Sequence, residues 1–140
     1  MTMQATETAA GLNKAAVRRL YDEVINAGRL ELAAELVAPD YVGPTGDGGV
    51  EGFTATLRDL RRGFPDITFT LEDLVAETDR VAVRWRWEAT HAGQFRTFAA
   101  TGARVTNTGI AIYQLTEGRI SRAWAETDRL GALQQIGAFK

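Results

Sequence analysis

Between Asp79 and Gly118 the chain carries two long runs that alternate by two: Arg80-Val-Ala-Val-Arg-Trp-Arg-Trp-Glu-Ala-Thr-His91 and Gly109-Ile-Ala-Ile-Tyr-Gln-Leu115. A period of two is that of a half-buried pleated strand, whose successive side chains face opposite sides. Two long strands joined by a polar turn near Ala92-Gly93 make the floor of a cup, and the rest of the chain must cover it. Ile67, Phe69 and Leu71 alternate with Thr68 and Thr70, predicting a strand before the pair. Glu117-Gly118 predicts a tight turn into a further strand from Arg119 to Thr127.

The cover comes from the N-terminal half, where the period lies near 3.6. Asn13 reads as an N-cap followed by Val17, Leu20, Tyr21, Val24 and Ile25 on one helical face, with Gly28 closing the helix. Leu32, Ala33, Leu36 and Val37 form a second, shorter helix stopped by Pro39, and Asp40-Tyr41-Val42 reads as a brief strand. The loop Gly43-Pro-Thr-Gly-Asp-Gly-Gly49 forbids regular structure. A third helix buries Phe53, Leu57, Leu60 and Phe64 and leaves Arg58, Asp59, Arg61 and Arg62 outside, ending at Gly63 and Pro65. Asp128 caps a last helix, Leu130 to Ile136, closed by Gly137. Residues 1–12 are small and polar and are expected to be a flexible N-terminus, leaving 13–140 as one domain. Helices followed by a run of antiparallel strands is an α+β layout: three N-terminal helices packed on a strongly curved sheet, with a cone-shaped pocket between them.

Composition narrows the partners. With 16 Lys and Arg against 18 Asp and Glu, mixed along the chain, there is no basic block to meet nucleic acid or an anionic membrane. No stretch approaches the ~18 apolar residues of a membrane span. Without cysteine and with a single histidine, thiolate chemistry is impossible and a metal site is not expected; the chain reads as cytoplasmic. Ser121, the only serine, falls near a turn far from His91, which argues against a Ser-His-Asp nucleophile.

Leu20-Tyr21-Asp22-Glu23 with Asn26-Ala-Gly28, Ala38-Pro-Asp-Tyr41, Glu51-Gly-Phe53 and Phe64-Pro-Asp66 follow in this order. So do Asp79 to Trp85, Thr90-His-Ala-Gly93, Thr101-Gly102, Gly118-Arg-Ile120, and Trp124 with Asp128 and Gln135-Ile-Gly137. In order and spacing these phrases resemble the SnoaL-like polyketide cyclases of the NTF2-like, or cystatin-like α+β barrel, superfamily over nearly the whole chain. The resemblance implies a homodimer formed through the open sheet face and a small hydrophobic or aromatic ligand. It also implies chemistry of secondary metabolism without metal or cofactor, and the richness in alanine and arginine suggests a bacterial source. Members of the family close polyketide rings by aldol condensation with a carboxylate base, and related members hydrate epoxides, isomerise steroids, assist hydroxylations or only bind. Two functions therefore stand: a cyclase, isomerase or hydrolase acting on a carbonyl compound, or a non-catalytic binding or accessory protein.

Transferred onto this chain, the catalytic Asp of the cyclases falls on Ala125, its His partner on Ala111 and the helping Asn on Gly43. Glu126 would restore a base only if the strand were bulged. Two methyl groups in place of Asp and His widen and dry a pocket, which favours a bulkier apolar ligand. The remaining catalytic candidates are His91, as base or as a structural rim residue, and Tyr113, as a carbonyl-polarising hydroxyl or a core Tyr. Asp128 is either a pocket-mouth acid or a helix cap. Tyr21, Tyr41, Trp87 and Phe95 are further lining candidates. Trp85 and Trp87 share one strand face and Arg84, Arg86 and Glu88 the other, and either face could turn inward; Trp124 and Glu126 lie on the side away from Ala125.

Overall fold

The computed structural model describes residues 8–139. Helix α1 (Ala9–Arg19) begins at Thr8, whose hydroxyl accepts from Gly11 N–H at 2.9 Å, rather than at Asn13. Asn13 is instead buried within the helix, its amide reaching the Thr78 carbonyl at 3.3 Å. Residues 9–12 are therefore helical, and of the segment expected to be flexible only 1–7 lie outside the described residues. The helix widens into a π-helical segment, Leu20–Asn26, in which Leu20, Tyr21, Val24 and Ile25 are all buried. A 3-10 turn, Leu30–Leu32, leads to the four-residue helix α2 (Ala33–Leu36) and then to strand β1 (Val37–Val42).

Helix α3 (Gly49–Gly63) buries Phe53 and Leu57 against β1 and the sheet. Of the four charged residues expected outside, Arg61 turns inward. Its guanidinium donates to the Ile25 carbonyl and to that of Asn26 at 2.8 Å, a cation on the unpaired carbonyls at a helix end. Asn26 holds the neighbouring strand like a peptide: its amide donates to Phe69 O at 2.9 Å and its carbonyl accepts from Phe69 N at 2.7 Å.

Strands β2 (Thr68–Glu77), β3 (Arg80–Thr90), β4 (Arg104–Thr116) and β5 (Arg119–Thr127) follow, then helix α4 (Arg129–Gln135). The sheet order is β1-β5-β4-β3-β2, and the four later strands pair antiparallel. Strand β1 joins β5 in parallel, an orientation its six residues did not reveal. Bulges between Leu71 and Asp73 and between Gln114 and Leu115 bend the sheet.

The inner face is now fixed. Val81, Val83, Trp85, Trp87 and Ala89 are buried along β3, so the inward Arg-Arg-Glu row is excluded. Arg84 pairs outside with Asp73 at 2.6 Å and Arg86 with Glu72 at 3.1 Å. Trp85 lies over its cross-strand partner Gly109: a Cβ there would overlap the indole and sit 2.8 Å from the Glu126 carbonyl. No helix among the described residues is long and apolar enough to cross a membrane.

The turn expected at Ala92-Gly93 is in fact the start of a loop that runs from β3 to β4 and docks on α3. The amides of Ala92 and Gly93 both donate to Gly63 O at 3.1 Å, and a Cβ on Gly93 would overlap the Arg62 carbonyl. Gly93→Ala should therefore push the loop off α3, costing ~2 kcal/mol and lowering Tm by roughly 5–10 °C. An unchanged melting curve would show that the loop is not pinned there.

The two ends of the loop are tied by Asp66, which accepts from Thr90 N–H at the end of β3 at 2.7 Å and from Arg104 at the start of β4 at 3.0 Å. These contacts, the Thr90 amide foremost, hold its carboxyl below the usual carboxylate range. A depressed folded-state pKa contributes stability above the unfolded value and loses it as pH falls through the folded one. The urea midpoint of the wild type should fall between roughly pH 5 and pH 3, and the fall should be shallower in Asp66→Asn.

Candidate active site

A cavity of about 640 Å³ opens between α3, the β3–β4 loop and α4. Its apolar walls are Phe69, Trp85 and Trp87 from the sheet, Phe95 from the loop, Leu60 from α3, and Ala132 and Leu133 from α4. The aromatic groups form two clusters. Phe69 meets Trp85 edge-on at 5.1 Å, and Phe64 lies 5.0 Å from both Trp87 and Phe95. Such walls suit a flat apolar ligand.

The polar lining is sparse and comes from several elements. Asn107 stands opposite Trp87 in the ladder and is buried. Its Oδ1 accepts from Thr108 N–H at 3.0 Å, which leaves the two amide protons for a ligand. Thr127 ends β5, and Thr56, Asp59 and Arg62 come from α3. Asp59 is the one carboxylate in the lining and pairs with Arg62 at 3.0 Å. Gln94, Arg96 and Arg129 complete the mouth.

Of the residues singled out from sequence, Trp87 and Phe95 line this cavity. Tyr113 and Tyr21 stand behind it, their hydroxyls 2.6 Å apart and buried, with Tyr21 edge-on to the lining residue Phe69 at 5.7 Å. Burial pushes the Tyr113 phenol up to about 12 and that of Tyr21 well above its ordinary value, so both stay protonated at neutral pH. They can donate or relay a hydrogen bond but do not serve as bases. Tyr41 packs edge-on against Phe53 at 5.7 Å, and its phenol is also raised, chiefly by burial.

His91 is fully buried outside the lining. Its Nδ1 meets the Thr101 hydroxyl at 2.9 Å, and its Nε2 is the one buried side-chain nitrogen or oxygen without a hydrogen-bond partner among the described residues. Its ring rests 5.4 Å from Phe64, the group that supports both Trp87 and Phe95. His91 thus reaches the cavity through an aromatic neighbour. Asp128 accepts from Gly131 N–H at 2.9 Å as the N-cap of α4.

Ala111 and Ala125 are cross-strand partners on β4 and β5. Ala125 and Gly43 line a separate cleft of about 190 Å³ beside Pro44, Trp124 and Glu126. At Gly43 a Cβ would overlap the Asp47 carboxylate. Sequence reasoning missed Asn107 and Thr127, although both share the inward parity of Ala111 and Ala125 and were legible by that rule. Asp59, Gln94, Arg96 and Arg129 carried no such signal, because the docking of α3, loop and α4 brings them together.

The sequence matches the family model of the SnoaL-like polyketide cyclases over residues 15–136. A candidate SnoaL-like polyketide cyclase from Jannaschia sp. CCS1 superposes with a TM-score of 0.87 at 24% identity, covering 98% of this chain and 99% of that one. A candidate polyketide cyclase from Acidithiobacillus ferrooxidans gives 0.80 at 30% identity, with 97% of each chain covered. AclR, a candidate hydroxylase from Streptomyces galilaeus, gives 0.81 at 23% identity over 91% of this chain and 82% of that one. No curated protein matches the sequence significantly. With the match spanning nearly all of a chain whose helices and curved sheet enclose an aromatic cavity, the protein belongs to the SnoaL-like polyketide cyclase family.

Proposed function

We propose that this protein is a bacterial, cytoplasmic, cofactor-independent enzyme that cyclises, isomerises or hydrolyses a hydrophobic, polyketide-like carbonyl compound. The observation that carries this reading is the aromatic-walled cavity, with one buried amide donor and one carboxylate among its polar groups. A ring lies along Trp85, Trp87 and Phe95, and its carbonyl oxygen accepts from the Asn107 amide. Asp59 takes the acidic proton beside that carbonyl, and the negative charge that forms on oxygen is held by Asn107. In an aldol closure the resulting carbanion attacks a second carbonyl of the same molecule, and the proton returns to the new alkoxide. His91 and Tyr113 act as positioning residues, through Phe64 and through Tyr21 with Phe69 respectively.

A second reading, a non-catalytic binder or hydroxylase accessory, is favoured by a separate observation. Alanine stands at both transferred catalytic positions, and Asp59, the one lining carboxylate, is exposed and paired with Arg62.

The open sheet face supports a homodimer. Val75, Ala82, Ile112 and Trp124 form a cross-strand row on it, with Ile110 beside them, and Val75, Ile110, Ile112 and Trp124 are all exposed. Arg80 and Arg122 lie 4.9 and 5.0 Å from the Trp124 ring.

Aromatic polyketide esters, enones and epoxides incubated with the protein and read by LC-MS against a no-protein control should give a protein-dependent product. Asn107→Ala and Asp59→Asn should each lower kcat/KM roughly 100-fold. His91→Ala and Tyr113→Phe should act mainly on KM. Saturable binding without turnover would favour the binder instead. Light scattering should give a dimer for the wild type and a monomer for Ile112→Glu/Trp124→Glu; a wild-type monomer would remove the sheet-face interface.

A further inference from the structure

The cavity is unevenly charged for a chain whose formal net charge is −2. Its charged lining is Asp59, Arg62, Arg96 and Arg129, and the aspartate is engaged by Arg62 at 3.0 Å. Arg96 and Arg129 have no carboxylate within ion-pair distance among the described residues. On the outer sheet face Arg84 pairs with Asp73 and Arg104 with Asp66, while Arg80 and Arg122 rest on the Trp124 ring instead. Two positive charges therefore remain beside an aromatic wall.

Arg96 is also held at a conformational cost. Its φ is +54°, in the left-handed region where glycine is the unstrained choice. The surrounding turn fixes it there: Phe95 and Phe98 exchange two N–H to O bonds of 2.9 Å, and Gln94 donates to the Arg96 carbonyl at 3.0 Å. The guanidinium lies 5.4 Å from the ring of Phe95, itself a lining residue. Thr78 and Glu117 share this φ in the two hairpin turns, so the turn sets the backbone, and at position 96 it presents an arginine to the cavity. Arg129 comes to the same cavity from a different element, the start of α4.

We infer that the ligand of this cavity is an aromatic carboxylate, its rings against Trp85, Trp87 and Phe95 and its carboxylate held at the mouth by Arg96 and Arg129. The inference rests on the reading of the cavity as a ligand site, and it holds for the enzyme and the binder alike. A guanidinium pairs with a carboxylate through two parallel hydrogen bonds, so the two arginines select for a free acid over its neutral ester or amide.

Isothermal titration with 2-naphthoate and its neutral isostere 2-naphthamide separates the two levels. The wild type at low salt should bind the acid about tenfold more tightly than the amide, and ~0.5 M NaCl should erase most of that preference. Arg96→Gly suits the turn conformation, and its combination with Arg129→Gln should abolish the preference, weakening the acid at least tenfold more than the amide. Equal binding of acid and amide by the wild type, or a preference that survives both substitutions, would overturn the inference and leave the cavity as a ligand site. Binding of neither probe would overturn the inference and count against the ligand-site reading as well.

Discussion

The cavity depends on the contact between Trp85 and Gly109. A strand that alternates tryptophan with arginine can turn either face inward, and here the two tryptophans are inside because the neighbouring strand offers a glycine under one indole. A methyl group at position 109 would occupy the space of the ring. The indole instead lies across the sheet, meets Phe69 edge-on and becomes part of the cavity floor. The arginines are then outside by parity and find carboxylates on β2, the neighbouring strand.

On this floor the walls are held by hydrogen bonds to backbone groups rather than by ion pairs. Asn26 binds the Phe69 peptide as a strand would, Arg61 closes the carbonyls of the π-helical segment, and Gly63 accepts from two successive loop amides. The last contact is possible because neither Gly63 nor Gly93 carries a Cβ; at Gly63 it would come within 2.8 Å of Phe95 Cβ. These joints set the separation of sheet, α3 and loop, and therefore the size of the cavity. His91 contributes from beneath, its ring on Phe64 and its Nδ1 against Thr101.

Such a site has limited electrostatic means. The tyrosines behind it are buried as neutral hydroxyls, and Ala111 and Ala125, paired across β4 and β5, offer only methyl groups. What remains for a ligand is aromatic surface, the Asn107 amide, the Asp59–Arg62 pair and the two arginines of the mouth. Orientation and exclusion of water carry much of the effect in a site of this composition, with hydrogen bonding directed at one carbonyl.

The sequence by itself determined the order of helices and strands and which residues share a face. Periods of 3.6 and 2 are local properties, fixed by backbone geometry at each residue. The shared inward parity of Ala111 and Tyr113, the cap at Asp128 and the α+β order were legible for that reason. The same rule reached Asn107 and Thr127, had it been followed to the strand ends. Tertiary structure decided which face of β3 is buried, the parallel seat of β1, the inward turn of Arg61 and the docking of the β3–β4 loop. Each of these depends on how closely two backbones distant in sequence can approach, and period does not encode that distance. The cavity mouth belongs to this second group: Asp59, Arg96 and Arg129 stand on three separate elements and become neighbours only when those elements pack around the tryptophan floor.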